Sequence, residues 1–179
     1  MEDFFSLAKA RRSTREYSEE GVPREKIGKI LEAGTWAPSS MNRQPCRFAV
    51  LDSPEKIKLA SSEIRRLKKE AGEEMRRAHL PDPVFYSAPC VIFICVEKPK
   101  KAPDMMDAGL CAQNCLMQAQ DMGLSTCPIG NSAVLERSDE AKEKLGIPKD
   151  WEIMVGICIG HGKGEAEERP REKAEVRFL

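Results

Sequence analysis

The stretch Ala88-Pro89-Cys90-Val91-Ile92-Phe93-Ile94-Cys95-Val96 constrains the fold more than any other part of the chain. It is apolar throughout, with no alternation between a wet and a dry side, and it is far shorter than a membrane span. Isoleucine, valine and phenylalanine dominate it, so it reads as a strand, and both of its faces need cover. Such a strand belongs in the middle of a sheet with packing layers on either side.

The remaining pattern supplies those layers. Arg47 to Leu51 and Trp151 to Ile159 read as further strands, and Leu124 to Gly130 as a loop or short strand. Five segments read as helices. Residues 3–11 have Asp3 as cap, with Phe4, Leu7 and Ala8 on one face. A second runs to about residue 36, opened by Pro23 at a first-turn position, with Ile27, Ile30 and Leu31 on its apolar side. The others are a charged segment over 54–78, a long helix over 104–122 ended by Gly123 in a left-handed cap, and Ser138 to Leu145 stopped by Gly146. The charges of 54–78 suit a solvated face with mixed ion pairs. Strands and helices do not alternate regularly, which favours an α+β sandwich over a doubly wound sheet.

Composition bounds the function. The 179 residues suit one domain, 1–179, able to bury a core without staples. Lys+Arg and Asp+Glu are both 29, so no global field draws the chain to nucleic acid. No run is apolar enough for a membrane, and the start Met1-Glu2-Asp3-Phe4-Phe5 lacks the basic region of a signal peptide. The seven cysteines form no CxxC pair and sit mostly in apolar runs, which suits reduced thiols and a cytoplasmic location. Cys111 and Cys115 share a helix face and could both meet a metal, but zinc would need more ligands and only His79 and His161 are present, so their apolar surroundings favour core thiols and no metal site. Neither a GxGxxG nor a GxxxxGK[ST] element is present.

Three segments carry candidate chemistry. Arg11-Arg12-Ser13-Thr14-Arg15 gathers guanidinium forks and hydroxyls suited to phosphate oxygens, although by itself such a cluster is more often an exposed basic turn. Pro38-Ser39-Ser40-Met41-Asn42-Arg43-Gln44-Pro45 is either a plain connector or a loop offering donors and acceptors to a planar heterocycle. Gly123 to Asn131 holds Pro128-Ile129-Gly130-Asn131, where Gly130 allows close backbone approach. Cys127 with His161 as base is a weaker nucleophile pairing, with no third orienting group evident.

Taken in order, RRSTREY, APSSMNRQPCRFAVL, APCVIFICVE, DAGLCAQNCLMQAQDMGLSTCPIG and the final strand into GHG resemble the FMN-dependent nitroreductase family over nearly the whole chain. The resemblance implies a three-layer α+β sandwich with a mainly antiparallel sheet flanked by helices, in an intertwined homodimer with FMN sites at the interface. It implies that Arg11, Arg12, Ser13 and Arg15 hold the phosphate and ribityl chain, completed by Arg169, with Lys163 a weaker candidate. Pro38, Ser39, Ser40 and Asn42, joined by Gln44, would reach the partner's flavin. Pro128 would lie against the ring, with Ile129, Gly130 and Asn131 at its N5 and O4 edge. FMN would be reduced by NADH or NADPH and would pass the reducing equivalents to a nitroaromatic, quinone or similar small molecule in a ping-pong cycle. Where family members carry a polar residue or lysine before the central strand, this chain reads Pro81-Asp82-Pro83, which leaves Arg76, Arg77 or His79 as candidates for the N1/O2 edge. The same resemblance covers dehalogenating and ring-modifying enzymes, for which residues 62–86 would be a lid, and flavin-storage proteins.

Overall fold

The computed structural model of the protein describes residues 3–98, 100–164 and 170–178. Four strands, β1 (Cys46–Leu51), β2 (Cys90–Glu97), β3 (Ser125–Ile129) and β4 (Trp151–Gly160), form one sheet in the order β1-β2-β4-β3, antiparallel at every pairing. The apolar run is β2, and it lies inside the sheet as its sequence demands.

Its alternate side chains enter two cores. Val91, Phe93 and Cys95 join a cluster with Ile57, Ile64 and Leu67 of helix α3 (Pro54–Glu70) and with Ala141 and Leu145 of α5 (Asp139–Leu145). Cys90, Ile92, Ile94 and Val96 join a second cluster with Ile27 and Ile30 of α2 (Arg24–Thr35) and Cys111, Cys115 and Ala119 of α4 (Asp104–Asp121). Burying each such side chain stabilises by about 1.5–3 kcal/mol, so β2 is the part of the chain least tolerant of a polar residue. The result is the three-layer α+β sandwich anticipated above.

The helix boundaries follow local chemistry. Asp3 caps α1 (Phe4–Ala10) by accepting the Phe5 and Ser6 N–H groups, Ser53 caps α3, and Ser138 caps α5. Gly146 ends α5 in the left-handed conformation, at φ 78°. Pro23 is the capping residue of α2 rather than its first helical residue, because its ψ of 137° is extended.

The charged helix stops eight residues short of expectation. α3 ends at Glu70, where Gly72 takes φ 69°, and turns fill 71–89. Its outer face holds the expected ion pairs, Arg66 with Glu63 and Glu70, and Lys68 with Glu73 beyond the helix end. Residues 62–70 therefore do not form a lid: Ile64 and Leu67 are in the core, as are Val84 and Phe85 further on. A 3-10 stretch, Gly130–Arg137, was unforeseen; Glu136 fastens it by accepting the Ile153 N–H (2.9 Å) and pairing with the fully buried Lys142.

Candidate functional site

The arginine segment leaves α1 and runs along the outer edge of the sheet. Ser13 bridges Thr126 of β3, and the Thr14 N–H donates to the Thr126 carbonyl (2.9 Å). Tyr17 bridges Gly162, the Ser18 N–H donates to the His161 carbonyl (2.8 Å), and the Lys163 N–H donates to the Glu16 carbonyl (2.9 Å). The buried Tyr17 hydroxyl donates to the Thr14 carbonyl (2.8 Å). Residues 11–18 are therefore a docked arm rather than a free basic turn. The arm fits because residue 162 is glycine: a Cβ there would stand 2.6 Å from the Ser125 hydroxyl and 3.1 Å from the Thr14 methyl.

The arm's guanidinium groups are only partly engaged. Arg12 Nη1 caps the end of α1 by donating to the Lys9 and Arg11 carbonyls. Arg15 Nη1 donates to the Ser13 carbonyl (3.1 Å), and its guanidinium lies 5.9 Å from the Tyr86 ring centroid, within cation–π reach. Tyr86 is set there by Asp82, whose carboxylate accepts from the Ser61 hydroxyl (2.7 Å) and the Val84 and Phe85 N–H groups. Asp82 thus shapes the connector, and Arg15, Tyr17, Tyr86 and Lys163 line a cavity of about 290 Å³ beside the arm.

Five buried side-chain polar atoms among the described residues lack a hydrogen-bond partner: Arg11 Nη1, Arg12 Nε, Arg15 Nε, Thr126 Oγ1 and Ser132 Oγ. All five fall on the arm, on β3 or on the 3-10 stretch after it. Unpaired buried donors are rare and costly, and guanidinium groups more so. Burial, followed by the charge of Arg171, lowers the pKa of Arg11. Among the described residues, no acid forms an ion pair with Arg11, Arg12 or Arg15. The donor set matches an anion with several acceptor oxygens, such as a phosphate monoester.

β3 carries the third segment beside this arm. Pro128 and Gly130 are exposed, Asn131 is half-buried, and Ile129 is buried. Cys127 is buried next to them. Burial raises its pKa, against the opposing pull of Arg15, a hydrogen bond with Ser13, and the charges of Arg11 and Arg77. Burial thus disfavours its thiolate form, which counts against the nucleophile reading.

The second segment sits elsewhere. It precedes β1, at the opposite edge of the sheet, three strand spacings from β3, roughly 14 Å. Ser40–Asn42 forms a 3-10 turn, with Met41, Asn42 and Gln44 in the left-handed region at φ 53°, 54° and 48°. The turn is fixed to the start of α4. The Ser40 N–H donates to both oxygens of Asp107 (3.2 and 3.3 Å), and Arg43 Nη2 lies 2.6 Å from Asp104 Oδ1. Ser39 Oγ accepts the Gln44 N–H (2.9 Å), and Gln44 Nε2 donates to Asn42 Oδ1 (3.2 Å). Pro38, Ser39 and Gln44 also line a cavity of about 170 Å³ with Cys46 and Asp107. Cys111 and Cys115 lie just below it, and their sulfurs crowd Gly34, where a Cβ would stand 2.7 Å from Cys115 Sγ. Six of the seven cysteines are buried and Cys46 is half-buried; all are free thiols.

Within one chain the fold therefore joins the first and third predicted segments and leaves the second apart. Arg169 lies outside the described residues. Among the described residues of that region, Arg171 is one whose charge bears on Arg11. Arg43, Asp104 and Asp107 were also missed as site residues. Their one visible signal was a pair of acids three apart at a helix start, opposite an arginine in a proline-bounded loop.

Known proteins resemble the chain over most of its length. An NADPH-flavin oxidoreductase of Vibrio harveyi is 28% identical, over 93% of this chain and 69% of its own. A 4-nitrobenzoate reductase of Nocardioides is 26% identical, over 90% and 81%. A nitroreductase of Bacteroides fragilis, solved with bound FMN, superposes with a TM-score of 0.85 over the full length of both chains at 20% identity. The nitroreductase family model matches residues 8–161, from before the arginine arm to the end of β4, and the chain belongs to that family.

Proposed function

We propose that the protein is an FMN-dependent oxidoreductase that takes reducing equivalents from NADH or NADPH and delivers them to nitroaromatic, quinone or similar small-molecule acceptors. One observation carries the proposal: among the described residues, the orphaned buried polar atoms all gather on the arm, β3 and its following turn. A phosphate monoester supplies the acceptors that Arg11 and Arg15 lack, and FMN ends in one. Bound FMN would supply the redox chemistry, accepting hydride from the nicotinamide and serving the acceptor in a ping-pong order.

The chain's own residues do the positioning. Arg11, Ser13 and Arg15 would grip the phosphate and ribityl oxygens, with Arg171 adding charge. Arg12 contributes its Nε while its Nη1 holds α1. Pro128 would present an exposed flat surface to the ring, and Ile129, Gly130 and Asn131 their backbone to its edge. Arg77, whose charge bears on Cys127, would be the candidate cation for the pyrimidine edge. No side chain needs to act as nucleophile or dedicated acid.

A homodimer completes the site. Pro38, Ser39, Ser40, Asn42 and Gln44 cannot reach the arm of their own subunit across the sheet. They lie in a surface rich in bare apolar side chains: Trp36 is 80% exposed and Met41 92%, with Met105, Met106 and Leu110 of α4 also exposed. α1 buries none of its residues and exposes Phe4 and Phe5. Such an expanse marks a protein contact, and a second copy would bring its arm to this loop. Among the described residues no helix is long and apolar enough to cross a membrane.

The test is a visible spectrum of the purified protein, followed by titration of stripped protein with FMN. The expected result is a yellow dimer binding one FMN per subunit and oxidising NADH or NADPH with a nitrofuran or quinone. A ligand at about 100 times its dissociation constant should add roughly 2.7 kcal/mol of stability. A colourless protein whose melting temperature ignores FMN overturns the proposal.

A further inference from the structure

The Ser39–Gln44 turn is held in a shape it would not choose. Met41, Asn42 and Gln44 have positive φ, which is unfavourable for residues with a Cβ and persists only where the surroundings over-determine it. The force comes from α4. Asp107 is 1% exposed, yet it spends both carboxylate oxygens on the Ser40 N–H. Arg43, at the far end of the turn, is drawn in by Asp104 at 2.6 Å and by Asp107 at 3.7 Å. Asp104, 2% exposed, also accepts the Lys101 N–H (2.6 Å), so it is fixed in turn. Two buried acids in the first turn of a helix are favoured by its dipole and remain costly unless paired. Here their partners are the two ends of one exposed loop. Met41 and Asn42 stay exposed between those ends, and Gln44 just beyond Arg43.

We infer that Asp107 is a positioning residue for the flavin bound by the partner subunit: with Asp104 and Arg43 it sets the strained turn that carries Ser39, Ser40 and Asn42 to that flavin. The inference rests on the flavin reading above. Asp107 touches no cofactor; it acts through the Ser40 backbone, and its effect crosses the subunit boundary.

Intersubunit complementation tests it. Homodimers of Asp107→Ala and of Arg11→Ala, and the heterodimer of the two made with different tags, are stripped and titrated with FMN by fluorescence quenching. Each homodimer should lose FMN affinity about 10- to 100-fold, the change expected from losing a charge-assisted hydrogen bond. In the heterodimer one site combines the intact arm of the Asp107→Ala subunit with the intact loop of the other. It should therefore bind one FMN per dimer with wild-type affinity and a second weakly. A merely destabilised subunit would not restore a single site. Arg43→Gln, at the partly exposed end of the clamp, should repeat the pattern at smaller amplitude and carries the test if Asp107→Ala fails to fold. Wild-type affinity in the Asp107→Ala and Arg43→Gln homodimers, or no tight site in the heterodimer, overturns the inference while leaving the flavin reading standing. Failure of the wild-type protein to take up FMN overturns the flavin reading, and this inference with it.

Discussion

The arginine arm and the Ser39–Gln44 loop have similar compositions, each a short polar stretch beside a helix end, but they are finished differently. The arm is anchored through its backbone, by bonds to Thr126, His161 and Lys163, and among the described residues Arg11 Nη1, Arg12 Nε and Arg15 Nε have no partner. The loop is anchored through side-chain carboxylates, and its own hydroxyls and amides are paired among themselves. Backbone anchoring frees the arm's side chains to take a charged ligand. Carboxylate anchoring fixes the loop's shape, so that it presents a surface rather than a charge. The arm should respond to loss of its cations, and the loop to loss of its geometry.

The largest effect should come from the cations. Arg11→Ala and Arg15→Ala together should weaken FMN binding by well over 100-fold, each removing about 1.5–3 kcal/mol of charge-assisted bonding. Fluorescence titration of stripped protein measures it, and affinity within a few-fold of wild type would break the contrast at once. Next is Gly162→Ala, which keeps every arginine but drives a methyl into Ser125 and Thr14. Overpacking of this kind costs about 1–3 kcal/mol. Denaturant unfolding should show the loss, and FMN affinity should fall with it because the arm is pushed off β3. Unaltered affinity in a destabilised protein would mean the arm works without its docking.

Ser39→Ala should be smaller, about 1 kcal/mol, because only the Gln44 N–H loses its acceptor. The change should appear as a few-fold weaker FMN site and vanish in a monomeric variant. The smallest effect is acid sensitivity. Burial opposes ionisation of Asp104, but the Lys101 N–H and Arg43 outweigh it and lower its pKa from the ordinary 3.8. A carboxyl with a depressed folded pKa stabilises fully above the unfolded value and less as pH falls through the folded one. Below about pH 3.8 the loop clamp should loosen while the arm, held by backbone bonds and guanidinium groups, does not. Amide hydrogen exchange of Lys101 against Thr14 in the FMN-free protein reads this. Parallel acceleration of both would erase the distinction.

The sequence carried the sheet's centre plainly, since no other arrangement covers both faces of Cys90–Val96. It also carried the helix caps, because Asp3, Ser53 and Ser138 act within three residues of themselves. What it hid was long-range. The early end of α3 could not be seen, because Ala71 to Ala88 contains good helix formers and the turns there are imposed by Asp82 and by packing of Val84 and Phe85. The clamp of Asp104 and Asp107 on residues 40–43 joins positions more than sixty apart, so neither end announces the other. The arginine cluster was visible as charge, but nothing local said that its nitrogens would be buried and unpaired. Arg171 was obscured because the tail has no periodicity to fix its register.

The pairings that dock the arm have a consequence for how the protein comes into being. Ser13 waits for Thr126, and Tyr17 for Gly162, so the arm is fastened by segments that lie far downstream of it. Contacts so distant in the chain are slow to close and gain their bonds only once β3 and β4 are paired. A ribosome-bound chain ending before residue 162 would expose a guanidinium-rich strand with no edge to lie on. The arm thus docks only after β4 has emerged and joined β2 and β3 into one sheet.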